Sequence, residues 1–179
     1  MAHIDLDDTL PGLRALLKFR PETAGPLGAL AETLLRGPGP LERGERELIA
    51  AYVSELNGCR FCSSSHSACA AAQLPGGMAL VRHVHADPEG APISEKLRAL
   101  LAVAAAVQRG GREVGAEHVA AARHAGASDV EIHDTVLIAA AFCMFNRYVD
   151  GLATTAPSDP AAYAQIAERL VSEGYANLR

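Results

Sequence analysis

Apolar positions along this chain recur every three to four residues, and glycine and proline break the pattern at short intervals. Leu13, Leu16 and Leu17 follow Pro11; Leu27, Leu30, Ala31 and Leu34 follow Pro26 and precede Gly37-Pro38-Gly39-Pro40. In the first turn of a helix the N–H that proline lacks would have no intrahelical partner, so Pro11 and Pro26 read as helix starts and the Gly-Pro run as a loop. From about residue 41 to 56, Leu48, Ile49, Tyr52, Val53 and Leu56 repeat at i, i+1, i+4, i+5 and i+8, which is one face of an α-helix. Asn57-Gly58 ends that pattern. A further helix is expected to start near Cys59 and to run through the alanine-rich CSSSHSACAAAQ to the break at Pro75-Gly76-Gly77.

Downstream, VRHVHADP reads as a loop region. Ser94 is placed to cap a helix whose Leu97, Leu100, Leu101, Ala104 and Val107 form one stripe ending at Gly110-Gly111. A shorter helix is expected over residues 115 to 125. Ser128-Asp129-Val130-Glu131 has the form of a capping box, and the IHDTVLIAAAFCMF that follows is apolar nearly all round, which predicts a central buried helix. Asp159-Pro160 opens a last helix with Tyr163, Ile166, Ala167 and Leu170 on one side. The expected fold is all-α, about seven to nine helices in one domain over residues 1 to 179, with 86 to 92 linking two helical halves.

Composition sharpens this picture. Apolar residues make up 49% of the chain, tryptophan is absent, and alanine and leucine dominate, which favours helices packed through small side chains. The net charge of -5, from 16 basic and 21 acidic residues without long blocks of either sign, offers no footprint for nucleic acid or an anionic membrane. No apolar run approaches the roughly 20 residues of a spanning helix. The opening MAHIDLDDTL is acidic and lacks the features of a secretion signal, so a cytoplasmic location is expected. A reducing compartment makes a framework of structural disulfides among Cys59, Cys62, Cys69 and Cys143 an unnatural reading.

The candidate chemistry is concentrated in ELNGCRFCSSSH, residues 55 to 66. A thiol attacks only as thiolate, and a CxxC pair at a helix N-terminus supplies both amide dipoles and a neighbouring thiol that lower its pKa. On a helix His66 falls on the face of Cys62 at i+4, near enough to exchange a proton, while Cys59 at i-3 is close enough for a local disulfide. One segment thus carries a nucleophile, a resolving thiol and a base. Haem attachment would need a histidine directly after the second cysteine, where Ser63 stands. A structural zinc site would need a fourth ligand beside Cys59, Cys62 and His66, drawn from Cys69, His83 or His85. The blandest alternative is two core cysteines and an idle surface histidine. The redox pair outweighs these. Cys69 and Cys143 read as core packing, and His118, His124 and His133 as surface or structural residues without metal spacing.

Glu47 lies opposite the large apolar stripe, with Ala51 and Ser54. Such a carboxylate is either solvated or, where small neighbours admit a second helix, enclosed and able to shuttle protons. On spacing alone Glu45 and Glu55 compete with it.

Taken together, Glu47-Leu48, Ser54, Asn57-Gly58-Cys59, Cys62 and His66, with the first cysteine twelve positions after the glutamate, resemble the core motif of the alkylhydroperoxidase D-like, carboxymuconolactone decarboxylase-type superfamily. The segments ISEKLRALLAVAAAV, AGASDVEIHD and AAFCMFNRYVDGL extend the resemblance to its peroxidase-related branch, over about residues 20 to 155. The resemblance implies an alkylhydroperoxidase D-like helical bundle, assembled as dimers, trimers or hexamers, and a thiol-dependent reduction of hydroperoxides without metal or organic cofactor. It makes Cys62 the peroxidatic thiol, Cys59 the resolving thiol, and Glu47 and His66 a proton relay, with a protein dithiol or lipoyl-type donor restoring the thiols. The prototype has a histidine just before its second cysteine; here Phe61 takes that place, as in peroxidase-related relatives. The decarboxylase branch lacks the CxxC pair. The rival from another class is a non-enzymatic helical oligomer whose cysteines form a zinc clip or a redox sensor.

Overall fold

The structure, a computed structural model, describes residues 1–176, and among these it contains nine α-helices, one 3-10 turn and no strand. In chain order the helices are α1 (Leu13–Phe19), α2 (Pro21–Arg36), α3 (Arg43–Leu56), α4 (Arg60–Gln73), α5 (Gly77–Ala86), α6 (Glu95–Arg109), α7 (Ala116–His124), α8 (Asp129–Gly151) and α9 (Pro160–Glu173), with the 3-10 turn at Gly111–Glu113. Among the described residues no helix is long and apolar enough to cross a membrane.

Most boundaries follow from the caps. The backbone N–H of Glu42 donates to the Glu45 carboxylate at 3.0 Å and starts α3. Ser94 Oγ accepts from the Leu97 N–H at 3.1 Å to start α6, and Ser128 with Glu131 forms the reciprocal box that starts α8. Asp159 accepts from the Ala161 N–H at 2.9 Å, with Pro160 in the first turn of α9. Each cap satisfies a donor that the helix itself leaves unpaired, typically worth about 1 kcal/mol.

Three expectations change. Pro26 does not open α2; the helix starts at Pro21 and carries Pro26 inside it. The residue before Pro26 is Gly25, whose missing Cβ removes part of the clash that normally drives a pre-proline residue out of helical geometry. Residues 77 to 86 form α5 rather than a loop, because Val81 and Val84 bury one side of the segment against the core. His83 and His85 are therefore helical. Finally, α8 is buried on one side only: Ile138, Phe142 and Phe145 are in the core, while Val130, Leu137 and Met144 stand in solvent at heptad spacing.

The core is built where α3, α4, α6 and α8 meet. Leu48, Ile49 and Val53 of α3, Leu100 and Leu101 of α6 and Ile138 and Phe142 of α8 are almost completely buried. At roughly 2 kcal/mol for each fully buried large aliphatic side chain, this cluster is the main source of rigidity around the site. Arg46 ties the Gly-Pro loop to the start of α3 by donating to the Leu41 and Gly37 carbonyls at 2.9 and 2.7 Å.

Candidate active site

The site is built on the antiparallel pair α3 and α4. The turn between them is Asn57-Gly58-Cys59, and Gly58 sits at φ 69°, a left-handed conformation that a side chain would strain. The Cys59 N–H donates to the Ser54 carbonyl at 3.0 Å, and Cys59 is the N-cap residue of α4. Small residues on the α4-facing side of α3 let the two helices approach closely: Ala51 and Ser54 are fully buried there.

That approach encloses Glu47, which is 2% exposed. Its two carboxyl oxygens have separate partners. Oε2 is 2.7 Å from His66 Nδ1, and Oε1 accepts from the Tyr175 hydroxyl at 2.5 Å. Leaving this buried carboxylate with neither partner would be costly, on the order of 3 kcal/mol. Glu45 and Glu55 do not share the role: Glu45 belongs to the α3 cap, and the exposed Glu55 accepts from Ser63 Oγ at 2.6 Å.

The His66 ring is held on three sides. It meets Phe142 edge-on at 4.5 Å and lies parallel to Tyr175 at 6.1 Å. With its Nδ1–H given to Glu47, the ring keeps its second nitrogen, Nε2, for proton exchange. His66 and Cys62 open onto the same pocket, whose apolar wall comes from Leu13, Phe61, Phe142, Phe145, Ile166 and Leu170.

Cys59 and Cys62 are thiols, 0% and 5% exposed, and their sulfurs are hydrogen-bonding neighbours. The relation is unequal. The Cys59 S–H donated to Cys62 is the largest influence holding the Cys62 thiol below its ordinary pKa, aided by the His66 charge and an Asn146 hydrogen bond and opposed by burial and by Asp150. The same bond, with burial, pushes the Cys59 thiol up. Only Cys62 lines the pocket. The pair is thus polarised: the sulfur whose pKa is lowered meets the pocket, and the one whose pKa is raised lies behind it.

Sequence reasoning did not identify Asn146 or Tyr175. Asn146, 1% exposed, donates to Ser54 Oγ at 3.0 Å and accepts from Asn57 Nδ2 at 2.8 Å; Asn57 in turn accepts from Gln108. A polar residue within the apolar stretch of α8 was the available signal. Tyr175 follows α9 and has no local signal at all. Its N–H donates to Glu32 at 2.6 Å, and its carbonyl crosses α2 so closely that a Cβ on Gly28 would lie 2.7 Å from it. Burial, then the Glu47 charge, holds its phenol well above the usual range, so it remains a donor.

Cys69 is fully buried, with its thiol pushed up by burial and by Glu47. Cys143 is buried on α8, and Asn57 Nδ2 approaches it at 3.6 Å. Both pack as expected. Among the described residues no group of three or more His, Cys, Asp or Glu side chains is arranged to hold a metal ion. Of the remaining histidines, His118 accepts the Gly115 N–H at the start of α7, and His124 and His133 are exposed.

Comparison with known proteins shows the family and the fold. The family model described as "Carboxymuconolactone decarboxylase family" matches residues 21–73 and 78–156. A solved peroxidase-related protein from Silicibacter sp. TM1040 is 27% identical, with 86% of this chain and 78% of that one covered and a TM-score of 0.76. An alkylhydroperoxidase AhpD core structure, a peroxidase-related protein from Ralstonia eutropha JMP134, is 25% identical over 88% of this chain and 81% of its own, also at a TM-score of 0.76. Comparison with curated proteins gives no match.

Proposed function

The chain belongs to the carboxymuconolactone decarboxylase family, and from that premise we propose that it is a thiol-dependent hydroperoxide reductase. The observation that carries this reading is the unequal pair of sulfurs, the one with the lowered pKa opening beside His66 onto an apolar pocket. The likeness to two peroxidase-related structures supports it.

In the first step the Cys62 thiolate attacks the distal oxygen of R–O–OH. The O–O bond breaks, Cys62 becomes the sulfenic acid, and the departing alkoxide takes a proton supplied through His66, giving R–OH. Glu47 orients the ring and steadies its positive charge, and Tyr175 holds Glu47 from the other side. In the second step the Cys59 sulfur attacks Cys62, its proton leaves with the hydroxyl as water, and the Cys59–Cys62 disulfide forms. The peroxide has then gained two electrons from the dithiol. A protein dithiol or lipoyl-type donor returns two electrons and two protons by thiol exchange in a reducing cytoplasm. The exposed apolar row Val130, Leu137 and Met144 on α8 suits contact with a second copy of the chain.

The test is an anaerobic thiol titration with one equivalent of organic hydroperoxide. Two thiols per chain should disappear, and peptide mapping should join Cys59 to Cys62. Thiols that stay reduced in folded protein would overturn the proposal. Oxidation that occurs once, with no turnover on any dithiol donor, would instead identify a redox sensor.

A further inference from the structure

Cys59 and Cys62 are both enclosed, and the pocket in front of Cys62 has a free volume of only about 60 Å³. A peroxide group can enter such a space, but the cysteine of a protein dithiol, carried on a folded chain, cannot bring its sulfur into line with a Cys59–Cys62 disulfide there. The segment before α2 is what closes the site. Leu16 of α1 forms one buried cluster with Cys59, Cys62 and Val149, and Leu6 and Leu13 pack against it. Just before α1, Gly12 turns over Phe61, which stands between the two cysteines in the chain: Gly12 has φ 57°, and a Cβ there would fall 2.2 Å from the ring. Residues 1–20 also lie outside the part of the chain that the family model matches, which begins at residue 21.

This cover is held loosely by polar groups. Among the described residues its backbone reaches the turn after α8 through two hydrogen bonds, from the His3 N–H to the Leu152 carbonyl at 3.1 Å and from the Gly12 N–H to the Thr155 carbonyl at 2.9 Å. The ion pair of Lys18 with Asp7 is internal to the segment and ties it to nothing else. Arg14 Nε on α1 and Thr154 Oγ1 on the turn are buried, and among the described residues neither has a hydrogen-bond partner. A cavity of about 350 Å³ is lined by residues of the segment and by Thr154 and Thr155. Buried donors without acceptors regain water when the segment lifts, which offsets the cost of the apolar surface that lifting exposes, so this is the part of the site with the least to lose by opening.

We propose that residues 1–20 are a lid over the cysteine pair, closed while a hydroperoxide oxidises Cys62 and displaced while a protein dithiol reduces the disulfide. The lid itself rests on the geometry; what passes beneath it rests on the peroxidase reading. Closed, it keeps the Cys62 sulfenic acid from other thiols until Cys59 condenses with it. Displaced, it lets a donor thiolate attack the Cys62 sulfur; the S–S bond breaks, and Cys59 leaves with the electron pair and takes a proton. The donor's second thiolate then attacks the mixed disulfide and releases Cys62, and the donor departs as a disulfide, having given up two electrons. Leu16, packed on both cysteines, and Gly12, whose missing Cβ lets the segment turn over Phe61, are the points at which the lid closes.

The experiment reads accessibility first. Reduced wild type, G12V and L16S are labelled with a maleimide carrying a long polyethylene glycol chain, and the labelled cysteines are mapped. In either variant Cys62 should react about tenfold or more faster than in the wild type, because closing is disfavoured, while Cys69 in the core stays unlabelled. A rate at Cys62 equal to that of the wild type, or one that rises only in step with Cys69 as global unfolding would make it, overturns the lid. The two substitutions act at separate points, so one serves if the other fails to fold. Hydrogen exchange needs no variant: the Gly12 amide, bonded to Thr155, should exchange at least about tenfold faster than amides in the middle of α4, and equal protection overturns the lid as well. The second arm follows oxidation by tert-butyl hydroperoxide. Reduction by thioredoxin, taken relative to reduction by dithiothreitol, should be about tenfold faster in the variants, and an unchanged ratio overturns the lid's part in reduction. If tert-butyl hydroperoxide forms no Cys59–Cys62 disulfide in any of the three proteins, the peroxidase reading has failed, while labelling and exchange still decide the lid.

Discussion

Helix α4 carries two cysteines, Cys62 and Cys69, and its two ends treat them in opposite ways. At the N-terminal end the Cys62 thiol is drawn down by the Cys59 S–H, by His66 and by Asn146, and it meets a pocket. Two turns later Cys69 is sealed in the core, and its thiol is driven up by burial and by the Glu47 charge. The helix is the same, the residue is the same, and the burial is comparable. What differs is the sign of the neighbours. Glu47 is itself part of both environments: it pairs with His66 at one end, and through its charge it disfavours thiolate at the other. Burial, reinforced by that carboxyl, holds the Cys69 thiol up, whereas at Cys62 the neighbours outweigh burial.

The sharpest way to break this comparison is to remove the reactive sulfur. C62S should abolish hydroperoxide reduction, a loss of about a thousandfold or more, and near-normal turnover in that variant would reassign the nucleophile. Next in size, H66Q should slow the oxidation of Cys62 by about 10²-fold or more, the usual contribution of a positioned acid or base, while the protein still folds by circular dichroism.

The third prediction concerns pH. The Cys59 S–H lowers the Cys62 pKa, so alkylation of Cys62 by iodoacetamide should rise with pH to a plateau whose midpoint lies below the ordinary thiol value of 9.0. In C59A the donated hydrogen bond is gone, the thiolate is less favoured, and the midpoint should move to higher pH, so that the rate at neutral pH falls. A midpoint that stays in place would mean that the polarisation comes from elsewhere.

The smaller effects test the other end. Y175F leaves the ring in place and removes one hydrogen bond to Glu47; it should cost about 1 kcal/mol or slightly more in a denaturant titration. Peroxide oxidation should slow modestly, with a changed pH profile. C69A should leave peroxide oxidation within about twofold and cost on the order of 1 kcal/mol in stability, the ordinary price of a small core truncation. A large loss of activity in C69A would dissolve the distinction between the two ends of α4.

Much of this was readable along the chain, because the signals are local. Ser94, Ser128 and Asp159 cap the helices they were expected to cap, since a cap needs only the first turn that follows it. The i, i+4 relation of Cys62 and His66 is likewise a property of one helix, and both residues open onto one pocket. Pro26 was misleading for the opposite reason: a proline marks a helix start only statistically, and Gly25 before it eases the helical path. The segment of α5 carried two apolar positions, Val81 and Val84, among histidines and a following Asp-Pro, and packing decided in favour of the helix. The apolar character of α8 was correctly read, but its depth was not, because periodicity cannot tell a buried face from one left open.

Glu47 marks the boundary between the two kinds of information. Its position opposite the apolar stripe of α3 follows from 100° per residue, and that arithmetic favours a solvated carboxyl while leaving an enclosed one open. The choice was made by α4 lying over Ala51 and Ser54, by His66 nineteen residues on, and by Tyr175 at a separation of 128 residues. Sequence alone determined the helices, most of their caps and the spacing of the two thiols and the imidazole, since hydrogen bonds and periodicity within a few residues set these. Only the tertiary structure decided which carboxyl meets the imidazole, which sulfur faces the pocket and what closes over it, because burial and charge are properties of space between helices, and no short stretch of chain encloses it.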